Sequence, residues 1–312
     1  MMRGLVAAAL TAVLCCSAKA ADATGMVTIL EGDALVYRGA GRLHAAEGLR
    51  LAPGDIIETG TSTFVQVELG EQAVVQFGPS TRAWIGGGAA GAKQKPERWL
   101  YVMEGWTKVT GAKAQAAAPY ELRTRPFWMS SPSGSVVVFK VVPAEAALFV
   151  ERGETRLAEH QASGAPVAVA LKQGDYYLRK SGARGAVNPG GMQGFVGDMP
   201  RGFRDSLPLR LDRFRDVDLK PKDAPAFAYA DVEVWLKAEP WIRRPLMQRW
   251  RAKAREPAFR AALIENLSFH PEWDPILFPE KYLPKDKDKE PRRAPPAAYG
   301  AASAAAASSP TR

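Results

Sequence analysis

Apolar and polar residues alternate along most of the chain up to about residue 180. In Phe64-Val65-Gln66-Val67-Glu68-Leu69, the side chains of Val65, Val67 and Leu69 point to one side of an extended backbone. Those of Gln66 and Glu68 point to the other. Runs of the same kind occupy 26–30, 34–37, 73–77, 99–103, 136–141, 147–150, 167–171 and 175–179. They are short and rich in β-branched and aromatic residues, which predicts strands. Turn chemistry separates them, as in Glu31-Gly32-Asp33, Pro53-Gly54-Asp55, Phe77-Gly78-Pro79, Arg152-Gly153-Glu154 and Gln173-Gly174-Asp175. Short strands at this spacing predict a mainly β body, built as a sandwich, roll or barrel. Leu51-Ala52-Pro53-Gly54-Asp55 is answered by Leu171-Lys172-Gln173-Gly174-Asp175, and 34–39 is loosely echoed by 148–153. Two copies favour a two-lobed β-roll over a solenoid, which needs three or more.

The pattern changes after residue 181. Glycines crowd 182–197, which reads as linker, and 205–225 mixes charges and prolines without a period. A helix is expected over 229–239, with Asp231 as N-cap and Val234, Trp235 and Val232 toward one side. Pro240 or Pro245 can open a second helix, whose Leu246, Trp250 and Ala254 make an apolar stripe. Pro257 can open a third, with Phe259, Leu263 and Leu267 on one face. Four prolines within 270–284 predict extended or turned backbone there. Residues 285–312 run from alternating Lys and acid into Ala, Ser and Pro, a composition too poor in apolar surface to offset ordering, so a disordered tail is expected. The expected partition is a leader at 1–20, a β domain at 21–181, a linker and irregular segment at 182–228, a small α-helical segment at 229–284 and the tail at 285–312.

The leader changes how composition is read. Arg3 is the only charge before an apolar run at 5–16, and Ala18-Lys19-Ala20 follows. A basic start, a short apolar stretch and an A-x-A end describe a secretory signal, and the run falls short of a membrane span. An uncleaved anchor or a lipoprotein built on Cys15 or Cys16 are the alternatives. Cleavage after Ala20 would remove both cysteines of the chain, and with them disulfides and thiol nucleophiles. The expected location is periplasmic or secreted, with no transmembrane segment left. The net charge of +9 includes Arg3 and Lys19 in the leader and three excess positive charges in the tail, so it does not describe one basic surface.

Catalytic signatures are sparse. The glycines at 86–91 followed by Lys93 lack the Gly-Lys-Ser/Thr order of a phosphate loop. His44, His160 and His270 are scattered, and nothing pairs one with a serine. In His270-Pro271-Glu272-Trp273-Asp274, an extended backbone would point His270, Glu272 and Asp274 one way, as weak candidates for a metal site. The plainer expectation is a turn in which Trp273 plugs the core. Trp99, Tyr101 and Trp106 are candidates for a glycan or partner platform, with burial in the core as the competing expectation. Arg243, Arg244, Arg249 and Arg251 give a basic helix face suited to an anionic partner, or simply to solvent.

One stretch carries a family likeness. Gly25-Met26-Val27, then Leu51-Ala52-Pro53-Gly54-Asp55-Ile56-Ile57-Glu58-Thr59-Gly60, then Val74-Val75-Gln76-Phe77-Gly78-Pro79-Ser80 resembles the FecR-type domain. The resemblance is clearest over 25–110 and weaker to 181. Ser131-Pro132 and Val136-Val137-Val138 follow the family's second half, whereas Phe139-Lys140 stands where that family carries Gly-Thr. The resemblance implies a β-roll or sandwich-like domain facing the cell envelope and used for contact or sensing. The expectation is therefore an exported, non-enzymatic envelope protein. It would bind a protein or an anionic polysaccharide such as peptidoglycan, with no nucleic acid and no cofactor. The alternatives are a carbohydrate-active enzyme using paired carboxylates, or a regulator of sigma-factor signalling like the family's namesake.

Overall fold

The computed structural model describes residues 24–70, 72–87, 98–112, 120–130, 133–189, 193–217 and 219–283. The expected leader and tail lie outside the described residues, as do Ser131, Pro132 and residues 88–93. The body is mainly β. Its first half holds β1 (Gly25–Glu31), β2 (Ala34–Arg38), β3 (Gly41–His44), β4 (Arg50–Leu51), β5 (Ile56–Thr59), β6 (Phe64–Glu68), β7 (Ala73–Phe77) and β8 (Arg82–Gly87). A long strand, β9 (Arg98–Gly111), comes next. The second half holds β10 (Glu121–Arg123), β11 (Phe127–Ser130), β12 (Val136–Val142), β13 (Glu145–Arg152), β14 (Glu154–Glu159), β15 (Val167–Lys172), β16 (Asp175–Lys180) and β17 (Ala186–Pro189). A two-residue strand, β18 (Lys222–Asp223), returns later.

These strands form two layers that share β9. The first layer runs β4-β1-β6-β7-β9-β12-β13-β16-β17. The second runs β18-β3-β2-β5-β8-β9-β10-β11-β14-β15. All pairings are antiparallel except β9 with β10. The N-terminal half of β9 pairs with β8 and β10, and its C-terminal half with β7 and β12. The change of layer falls at Gly105, whose φ of +102° favours glycine. A Cβ there would lie 2.3 Å from the Cα of Thr81, so the strand crosses where only glycine fits.

The core between the layers is the expected alternating set, including Val27, Val36, Leu51, Ile57, Val65, Val67, Val75, Val137, Leu148 and Leu157. The repeated Leu-x-x-Gly-Asp phrase builds one turn twice. Asp55 Oδ2 accepts from Ala52 N at 2.9 Å, and Asp175 Oδ2 accepts from Lys172 N at 2.9 Å. Gly54 and Gly174 take φ of +96° and +88°. Each turn carries the chain from one layer to the other: β4 to β5 in the first copy, β15 to β16 in the second.

The chain after residue 189 covers both outer faces of the body. α1 (Gln193–Asp198) and a 3-10 turn at Arg201–Phe203 place Phe195, Met199 and Phe203 on Phe64, Trp106, Val138 and Phe149 of the first layer. This strap explains a departure from simple alternation. Gln66 and Glu68 face away from the inner core yet are buried, because the strap lies on them. Glu68 accepts from the backbone N–H groups of Arg210 (2.7 Å) and Leu211 (3.2 Å), and Gln66 Nε2 donates to Pro208 O at 3.1 Å. The outer face of the second layer, with Tyr37, Ile56, Trp84 and Tyr101, is capped by α2 (Tyr229–Leu236), α3 (Pro240–Arg249), α4 (Pro257–Glu265) and α5 (Asp274–Leu277). Leu246, Trp250, Ala254, Phe259 and Leu263 are buried there, as the stripes predict. Three details differ from expectation. Asp231 sits inside α2, where its carboxylate accepts from Ala228 N at 2.7 Å. Val234 turns outward. The prolines at 271, 275 and 279 open short helical turns instead of holding the chain extended, because a helix start has no use for the missing N–H. Among the described residues, no helix is long and apolar enough to cross a membrane.

Candidate functional site

His270, Glu272 and Asp274 do not converge. Helical turns replace the extended backbone on which their alternation depended. His270 is fully buried and its Nε2 lies 3.1 Å from the Tyr229 hydroxyl. Glu272 receives two hydrogen bonds of 2.9 Å from Arg243, and that guanidinium holds its carboxyl below the usual range against the opposing effect of burial. Asp274 accepts from Lys281 and Tyr282 at 2.9 and 2.6 Å. Trp273 is buried between them. Among the described residues, no cluster of His, Cys, Asp and Glu is arranged to hold a metal ion.

The aromatic candidates form no open platform. Trp241 packs its ring edge-on against Trp99 and Tyr101, with centroids at 6.1 and 5.2 Å. Trp106 lies on the opposite face of the body beneath Phe195, at 4.9 Å. The arginine candidates scatter as well. Arg243 is committed to Glu272 and to Ala238 O, and Arg244 reaches Glu272 from solvent. Arg249 folds back over Trp84, and Arg251 is exposed.

What the fold does create is an open cleft of about 1280 Å³ at one end of the body. Its walls are the turns that come after β10, β12, β14 and β16, together with the corner between α2 and α3. These are loop tips on a rigid scaffold, the usual place for a binding surface. Met103, Val141 and Val142 contribute an apolar floor. The cleft opens where β9 changes layers. Pairing with β10 ends at Tyr101 and pairing with β12 begins at Gly105, so, among the described residues, 102–104 have no strand neighbour on that side.

The charges around the cleft are unevenly committed. Six basic side chains line it, from Arg125, Arg179, Lys180, Arg184, Lys237 and Arg243, against the carboxylates of Glu104, Glu145, Glu233 and Glu239. Glu104 pairs with Arg82, Glu233 with Lys237 and Glu239 with Arg125. Tyr101 also donates to Glu239 at 3.1 Å; burial, then the Glu239 charge, pushes its phenol far above the ordinary range. Lys180 and Arg184 have no carboxylate partner among the described residues, and neither has Glu145. The Arg125 side chain is 74% exposed, but its backbone is fixed. His160 donates from Nδ1 to Arg125 O at 2.9 Å, and His160 N and Arg179 Nη1 both donate to Pro126 O, at 2.9 and 2.7 Å. Next to this turn, Arg123 is packed among the rings of Trp99, Trp128 and Trp241 at 5.3 to 5.8 Å and paired with Glu121. Of the binding candidates named from the sequence, Tyr101 and Arg243 border the cleft, and His160 lines it as well. The others that make it come from turns far apart in the chain, where no local pattern marks them.

A scan against protein-family models finds no match, and a search of curated proteins finds none either. Among solved structures, two crystal structures of a putative anti-sigma factor from Parabacteroides distasonis ATCC 8503 are similar to this chain at 15% identity. Their TM-scores are 0.34 and 0.35, and each match covers 43% of this chain and 59% of the other.

Proposed function

We propose that the protein is an exported, non-enzymatic component of the cell envelope that binds a partner in the cleft between its β body and helical cap. The observation that carries this reading is the cleft itself: loop tips on a two-layer scaffold, an apolar floor, and two cations with no carboxylate partner among the described residues. Three of its four carboxylates are held by cations or a phenol, which suits binding better than acid–base work. The leader and the FecR-type resemblance support a location outside the cytoplasm and a role in contact or sensing. The test is site-specific photocrosslinking in the native cell. A crosslinker at position 184, on the cleft, should trap a defined adduct in the envelope fraction. The same group at position 209, an exposed site on the strap, should not. Identical adducts from both sites, or none from either, would remove the cleft as the partner site. N-terminal sequencing of the purified protein should begin at Ala21.

A further inference from the structure

We infer that the cleft takes an extended acidic segment of a partner protein, laid against the unpaired stretch of β9, with its carboxylates on Arg125, Lys180 and Arg184. This rests on the cleft being the partner site and names the chemistry of what enters it.

Three observations converge. The first is backbone. At residues 102–104 the chain has left β10 and not yet met β12, and Met103 and Glu104 are half-exposed within the cleft. A strand flank without a neighbour can pair with another main chain, whereas a glycan has no peptide groups to continue a ladder. The second is charge. Lys180 and Arg184 are exposed and, among the described residues, form no ion pair, although Glu145 stands opposite Lys180 between β13 and β16; the pair between Arg125 and Glu239 is open enough to solvent to exchange its acid. Glu239 shows what a carboxylate does here: one oxygen forms an ion pair with Arg125 and the other accepts from Tyr101. The third is the floor. An extended segment turns alternate side chains to opposite sides, so small apolar residues can meet Val141 and Val142 while acids reach the rim.

Fluorescence anisotropy with the purified chain tests this. The probes are a labelled peptide of about ten residues alternating Glu and Val, the same peptide with Lys for Glu, a version interrupted by proline, and polygalacturonate as an anionic glycan. The Glu peptide should bind and should weaken with salt. The Lys and proline versions should each be weaker by about tenfold or more. Replacing Arg125, Lys180 and Arg184 together by Gln should weaken the Glu peptide by a similar factor, while Arg251→Gln, on an exposed site away from the cleft, should leave it unchanged. Circular dichroism of both variants confirms that they fold. A proline peptide that binds as well as the unbroken one would overturn strand pairing. Polygalacturonate binding without peptide binding would overturn the peptide but keep the cleft as a partner site. If no probe binds, the acidic segment is ruled out, and the crosslinking at position 184 still decides separately whether the cleft is used at all.

Discussion

Two ionisable groups make residue-scale predictions: Glu58 ties the helical cap to the body, and His270 is buried within the cap. Glu58, on β5, receives Trp235 Nε1 at 3.0 Å and Arg82 Nε at 3.2 Å on one oxygen, and the Tyr37 hydroxyl at 3.1 Å on the other. Burial keeps its pKa above the ordinary carboxylate value despite these partners. Trp235→Phe removes one donor while keeping most of the ring's packing, so it should lower stability by about 1–3 kcal/mol in urea unfolding. A loss below about 0.5 kcal/mol would mean that the indole N–H contributes nothing to docking. His270 behaves in the opposite sense. Burial holds its pKa below the ordinary imidazole value, and the charges of Lys237 and Arg243 add to the shift, while Glu272 and its own backbone oppose it. The unfolded chain therefore binds the proton more tightly. The stability from the neutral ring is fully present above about pH 6.5 and is lost as pH falls below that toward the lowered folded value. Compared with wild type, His270→Gln should flatten the fall in urea midpoint between pH 7.5 and 5.5. Parallel curves for the two proteins would show that the ring does not titrate in this window.

At the scale of elements, β9 is the piece on which the two layers depend. Gly105→Ala would put a methyl group against the Thr81 backbone at a positive φ, and it should cost roughly 2–4 kcal/mol. Gly70→Ala, also at positive φ but with open space around it, should cost less; equal losses at both positions would mean that the layer crossing is not sterically special. β9 also shows what the sequence reveals and what it hides. Its strand signal is plain at 99–103, as are those of β6, β12 and β16, because these runs are dense in β-branched and aromatic residues. β14 is not plain: Leu157 is the only large apolar residue in Glu154–Glu159, since the strand lies near a layer edge. β8 is masked by Gly86, which is there because the Trp99 indole fills the space a Cβ would need. The repeated Leu-x-x-Gly-Asp turn was legible because its hydrogen bond spans three residues. The cleft was not, because it joins the turns near 125, 144, 161 and 182 with the α2–α3 corner, and only the folded topology brings them together.

At the scale of the whole molecule, the chain after residue 189 acts less as an attachment than as the missing outer surface of the sandwich. The irregular span 193–217 gives no periodic signal, yet Phe195, Met199, Phe203 and Phe214 are buried, and the strap's carbonyl and amide groups bond to Gln66, Glu68 and Lys108 of the body. On the opposite face Trp235, Trp250 and Trp273 are all fully buried, and Trp250 Nε1 donates to Gly39 O at 3.1 Å. Removing everything beyond residue 189 would uncover Phe64, Trp106 and Phe149 on one face and Tyr37, Trp84 and Tyr101 on the other. It would also leave Gln66, Glu68, Lys108 and Glu58 without partners they now have. Large apolar patches exposed on both faces promote association, so a chain ending there should bind a hydrophobic dye and aggregate. The full chain should unfold in one step, with tryptophan fluorescence and the far-ultraviolet β signal changing together. A soluble truncated body with a sharp melt of its own, or a tryptophan transition that precedes loss of the sheets, would instead make the cap an independently folding unit. In that case the cleft would lose one wall each time the cap opened. Partner binding would then fall steeply on heating before the sheets melt, whereas a single cooperative unit should hold its partner until the whole chain unfolds.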